Sequence, residues 1–163
     1  MIEIRIATKG KVLAVLAFLF LASSITIANA SQTRTPFYLV ACDFAPIEEL
    51  RYHWADDAVV VIMGVLEGNV EDEIGHTVGI ITLDKFVLIR NFITQTSTMT
   101  AQFVINFDTG AIIEGTMTLK VKYIPPPIVS EGKFVGHGDM NVIGDIHNVP
   151  DDPSATVLEG YSW

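Results

Sequence analysis

His137, Asp139, Asp145 and His147 are the densest group of side chains in this chain that could do chemistry. Imidazole nitrogens and carboxylate oxygens at such spacing can together hold zinc or a related transition metal. Strand register decides whether they meet. A two-residue turn at Met140-Asn141 sets His137 and Asp139 on one face and Asp145 and His147 on the other. A three-residue loop over 139–141 instead brings His137, Asp145 and His147 to one face. Half of the plausible geometries dismantle the site, so ordinary loop and rim residues are the favoured reading, and no metal is expected.

The next cluster is acidic: Glu67, Glu71, Asp72 and Glu73, with His76 close behind. Oxygen-rich loops suit calcium, but the Asp-x-Asp-x-Asp-Gly spacing of a dedicated site is absent. Nucleophile signatures are absent too: the chain has no Gly-x-Ser-x-Gly, no His-Glu-x-x-His and no phosphate-cradling glycine loop followed by a helix. The single cysteine, Cys42, has no convincing base beside it. Leu39-Val40-Ala41-Cys42 has the look of a lipobox, yet the polar residues 31–36 separate it from the apolar leader, so Cys42 reads as a buried strand thiol. No cofactor is implied, and nothing marks the chain as an enzyme.

These residues must be positioned by strands. From Phe37 onward, runs of Val, Ile, Thr, Phe and Tyr are broken at short intervals by Gly, Pro, Asn and Asp. Ile113, Gly115, Met117, Leu119, Val121 and Tyr123 fall on one face of a two-residue period; Glu114, Thr116, Thr118, Lys120 and Lys122 fall on the other. Met99, Ala101, Phe103, Ile105 and Phe107 repeat the pattern, and Asp108-Thr109-Gly110 joins the two runs as a hairpin loop. Eight or nine strands are expected, near 37–42, 49–54, 58–67, 77–90 (with a break near Asp84), 95–107, 112–123, 132–138, 142–147 and 156–162. One helical turn is allowed around Pro46 to Leu50, and Pro125-Pro126-Pro127 reads as a stiff extended connector. The fold class is all-β: a single antiparallel closed barrel of eight or nine strands, with a β-sandwich as the alternative.

The run from Val59 to Leu66 (VVVIMGVL) and Phe86-Val87-Leu88-Ile89 are apolar on both faces. Such strands should be covered twice, by the core and by an N-terminal segment or a second subunit. A homo-oligomer built through Val59 to Leu66 is the expected assembly.

Residues 1–30 read as a secretory signal peptide: Lys9 and Lys11, then the apolar VLAVLAFLFL, then Ala28-Asn29-Ala30 for cleavage. The mature domain is then 31–163, exported from the cytoplasm. An uncleaved leader would anchor it to a membrane, although its length is marginal for a span. The whole chain carries a net charge of −9, and loss of Arg5, Lys9, Lys11 and Glu3 makes the remainder more negative. That charge repels nucleic acid and anionic headgroups and favours solubility. An exported domain with one cysteine forms no internal disulfide and must rely on its core.

The C-terminal third has a further pattern. Gly132-Lys133-Phe134-Val135-Gly136-His137-Gly138-Asp139 is followed by Val142-Ile143-Gly144-Asp145-Ile146 and by Leu158-Glu159-Gly160-Tyr161. This series resembles the closing strands of the allene oxide cyclase-like and dirigent-like barrels. The resemblance implies an eight-stranded antiparallel barrel with an apolar interior, commonly a dimer or trimer. No catalytic motif of either family is present, so it carries over no site residue.

A barrel of this size holds side chains or one small ligand. The expected function is that of an exported barrel that binds a small apolar molecule, or that serves as a structural or interaction module. Tyr52, Trp54, Met99, Phe103, Met117 and Tyr123 are the candidates to face such a ligand. The alternative is a cofactor-free isomerase or cyclase in the cavity. It would need Tyr123, Asn106 or Glu114 inside, and periodicity turns Asn106 and Glu114 away from the core.

Overall fold

A chain made almost wholly of half-apolar strands buries them most completely by closing on itself, which also removes open edges. The computed structural model describes residues 33–123, 129–149 and 152–163. Nine strands run through them: β1 (Thr35–Pro46), β2 (Arg51–Trp54), β3 (Val59–Glu71), β4 (Thr77–Asn91), β5 (Thr96–Phe107), β6 (Ile112–Lys122), β7 (Val129–Gly138), β8 (Val142–Val149) and β9 (Asp152–Ser162). The leader and the Pro125-Pro126-Pro127 connector lie outside the described residues. Among the described residues no helix is long and apolar enough to cross a membrane.

The sheet order is β1-β9-β8-β7-β6-β5-β4-β3, and β3 pairs back to β1. Eight antiparallel strands therefore close a barrel, and the sandwich alternative does not hold. β2 stands outside the ring and pairs with β3 alone, Arg51 to Trp54 against Met63 to Val60. β1 and β2 thus share one edge of β3 in succession. The segment between them makes no helical turn: Ile47 N–H donates to the Val65 carbonyl at 3.2 Å. The exposed edge of β3 claims the backbone there.

Phe37, Leu39, Ile81, Leu83, Phe103, Ile105, Ile113, Met117, Phe134, Val142, Ile146 and Leu158 pack into one core inside the ring. Two glycine pairs make room for the largest rings. Gly115 lies opposite Gly136, and a Cβ at Gly136 would stand 2.9 Å from the Phe103 ring. Gly144 lies opposite Gly160, and a Cβ at Gly144 would stand 2.7 Å from the Phe134 ring. Strand glycines here replace side chains that the aromatic core has no space for.

The N-terminal segment expected as one cover for β3 and β4 lies outside the described residues. Met63 and Ile89 face outward and are 36% and 45% exposed. Cys42 is buried on β1, next to a bulge where Asp43 takes a positive φ of 55°.

Candidate functional site

The two ends of the barrel differ. At the end formed by the β3–β4, β5–β6 and β7–β8 loops, Val70, Ile81, Ile105, Ile113 and Val142 are at most 1% exposed, and Phe107 and Met140 beyond them are half-buried. A shallow opening of about 440 Å3 above them is lined by Phe37, Ile74, Phe107 and Met140 among others. At the opposite end, Ile62, Leu88, Met99, Leu119 and Val121 face inward but remain only half-buried. Cross-strand register puts the first four in one row: Ile62 opposite Leu88, Leu88 opposite Met99, Met99 opposite Leu119. Half-buried apolar groups on the inner wall leave apolar surface there that a ligand could cover.

The next row toward that rim is Val60, Arg90, Ser97 and Val121, again by direct pairing. Arg90 is half-buried, and its guanidinium lies 4.9 Å from the Phe92 ring centroid and 4.8 Å from that of Tyr123. Trp54 stacks on Phe92 at 5.9 Å with 17° between the rings. Trp54, Phe92, Arg90 and Tyr123 therefore form a connected stack at the mouth, held by cation–π and ring–ring attraction.

Backbone ties hold the stack in place. Asp56 Oδ1 accepts from the N–H groups of Ala58 and Val59 at 2.7 and 2.8 Å, shaping the turn before β3. Asn91 Oδ1 accepts from Ile93 and Thr94, both at 2.9 Å, and curls the chain just after β4. Phe92 N–H donates to the Ala58 carbonyl at 2.9 Å, and Tyr123 N–H to that of Gln95 at 2.8 Å. Three rim segments are thereby laced together.

The residues expected to face a ligand divide between these regions. Phe103 and Met117 belong to the packed core, at 1% and 5% exposure. Met99 lies on the accessible inner wall and Tyr123 at its rim. Tyr52 and Trp54 are on β2, 61% and 57% exposed, and Trp54 joins the rim through Phe92. Arg90, Phe92 and Ser97 did not emerge from the sequence as site residues. Asn106 and Glu114 are exposed on the outer wall, as periodicity required.

The histidine–carboxylate group is taken apart by register. β7 and β8 pair Gly136 with Val142 and Lys133 with Asp145, so residues 137–141 form a longer connection than either expected turn. His137, Asp145 and His147 share the outer face, but His147 lies opposite Glu131, six residues along β7 from His137, roughly 20 Å away. His137 Nε2 approaches Glu114 at 3.5 Å, and Lys133 Nζ donates to Asp145 Oδ1 at 2.7 Å. The Lys133 hydrogen bond holds the Asp145 carboxyl below its ordinary range. In the acidic loop, Asp72 Oδ1 accepts from Ile74 N–H at 3.0 Å and His76 N–H at 2.9 Å, so its carboxylate serves the turn. Among the described residues no three His, Cys, Asp or Glu side chains are grouped to hold a metal ion.

A groove of about 520 Å3 on the outer wall runs past Lys120, Glu131, Lys133, Asp145 and His147. Its charged walls are mutually paired in part, Lys133 with Asp145.

No family model matches this chain, and no curated protein or solved structure is significantly similar to it.

Proposed function

We propose that this chain is an exported β-barrel that binds a small apolar or amphipathic molecule at its open end. The observation that carries the reading is a half-buried apolar row on the inner wall beneath an aromatic and cationic rim. Leu88, Met99 and Leu119 line the inner wall, half-buried, beneath the stack of Trp54, Phe92, Arg90 and Tyr123. An accessible apolar wall with a few convergent polar groups is the usual make-up of a small-molecule site. Export rests on the leader grammar of residues 1–30.

An isomerase in the same lumen has less support, because Asn106 and Glu114 lie outside and Tyr123 stands alone of the three at the mouth. An interaction role through the outer wall has one specific feature behind it. Val135, Ile143 and Tyr161 are direct cross-strand neighbours on β7, β8 and β9, and are 44–52% exposed. The run from Val59 to Leu66 offers a second such face through Met63.

Native mass spectrometry of the gently purified protein separates these readings. An organic mass that co-purifies, and is lost when Met99 is replaced by a charged residue, is the expected result. A bare multimer would favour the interaction module instead.

A further inference from the structure

We propose that the open end selects a monoanion, a single carboxylate carried on an apolar body, and that Arg90 and Ser97 bind the carboxylate. This rests on the ligand-binding reading above and names the class of ligand. Arg90 points to the inner side of the wall, yet among the described residues it has no carboxylate partner. The ion pairs found there join Asp72 to His76, Asp145 to Lys133 and Glu114 to His137. In a chain with net charge −9, Arg90 is a half-buried cation on the inner face that meets two aromatic rings and, among the described residues, no carboxylate.

The stacking explains what remains free. Phe92 and Tyr123 engage the guanidinium through ring contacts, at 4.9 and 4.8 Å. Such contacts do not use its five N–H donors, which lie in the guanidinium plane. Ser97 is the direct cross-strand neighbour of Arg90, on the same inner face, so their Cβ atoms are roughly 5 Å apart. The Ser97 side chain is 2% exposed, and its hydroxyl has no hydrogen-bond partner. A buried hydroxyl without a partner is costly until something accepts from it.

Arg90 and Ser97 carry donors on one face of two adjacent strands, so the group that would satisfy both is an acceptor. A planar group with two oxygens matches the guanidinium fork. One cation within an acidic protein suits a single negative charge better than a phosphate dianion, which the surrounding field repels. Leu88, Met99 and Leu119 in the next row supply the apolar wall for the body of the ligand.

Isothermal titration calorimetry with naphthoate, naphthylmethanol and naphthyl phosphate tests this on the full chain. Naphthoate should bind at least about tenfold more tightly than naphthylmethanol, the effect of one charge-assisted pair. Arg90→Gln should erase that preference. Ser97→Ala should narrow it. Arg90→Lys keeps the charge without the fork, and should retain only part of the preference. It is measured alongside, with thermal melting of each variant, so that misfolding of one leaves the other decisive. Equal binding of naphthoate and naphthylmethanol, a preference that survives both Arg90 substitutions, or tighter binding of the phosphate would overturn the monoanion assignment and leave the ligand site standing. Binding of none of the three would remove the ligand site itself.

Discussion

Phe37 and Phe134 meet with ring centroids 5.8 Å apart and planes tilted by 44°, although two strands separate theirs. The row across the wall runs Phe37, Gly160, Gly144, Phe134, and the two glycines leave the space in which the rings touch. Gly144→Ala pushes a methyl group against the Phe134 ring and the β9 backbone. Overpacking of this kind costs about 1–3 kcal/mol, so the urea midpoint of the variant should fall with an unchanged slope.

Ser97 gives the opposite expectation. Its hydroxyl is buried with no partner, so Ser97→Ala removes an uncompensated polar group. In ligand-free protein the change should leave stability level or raise it by about 1 kcal/mol in urea unfolding. A clear loss would show that the hydroxyl already has an acceptor.

Cys42 should be a slow thiol. Burial first, then the Glu71 and Asp43 charges, push its pKa from the ordinary 9.0 up to about 11. The folded state therefore holds this proton more tightly than the unfolded state does. The contribution is fully present below about pH 9 and is lost as pH rises toward 11. Modification by a disulfide reagent at pH 8 should be slow in the native protein and rapid in urea, because the thiolate is the reactive form. Fast native modification would contradict the buried placement.

The β3–β4 turn should loosen in acid. Hydrogen bonds from the backbone, His76 N–H foremost, hold the Asp72 carboxyl below its usual range. A depressed pKa stabilises the turn above the unfolded value of 3.8 and ceases to do so as pH falls through the folded value. Amide exchange at Ile74 and His76, corrected for intrinsic rates, should become less protected in that window. Asp72→Asn should show weaker protection already at neutral pH.

The hairpin of β5 and β6 was legible because its alternation is uninterrupted on both strands and Asp108-Thr109-Gly110 gives the turn. The β7–β8 connection was not, because its shape is set from a distant strand. Asp139 Oδ2 accepts from Ile112 N–H at 2.7 Å, and Asp139 N–H donates to the Ile112 carbonyl at 3.0 Å. Local turn rules could not anticipate a loop tied to β6, so the histidine geometry stayed undecided. Arg90 was hidden for another reason. β4 slips register between Asp84 and Val87, where Lys85 has a φ of 48°, and the apolar stretch Phe86-Val87-Leu88-Ile89 that follows shows no wet face. With the phase lost, nothing in the sequence said whether Arg90 points into the lumen. Phe92 and Tyr123 come together only once β4, β5 and β6 are laid side by side.

Closure through β1 and β9 has a kinetic consequence. Thr35 lies opposite Ser162, and Leu39 opposite Leu158, so the ring is sealed by contacts between residues more than a hundred positions apart. Partners so distant along the chain make folding slow relative to a helical domain of equal size. One edge of β1 has its partner once β3 is made, but its other edge has none until β9 has emerged. Until then β1 and β8 both present unpaired backbone, and the nascent protein is at its greatest risk of pairing with a neighbour instead of with itself.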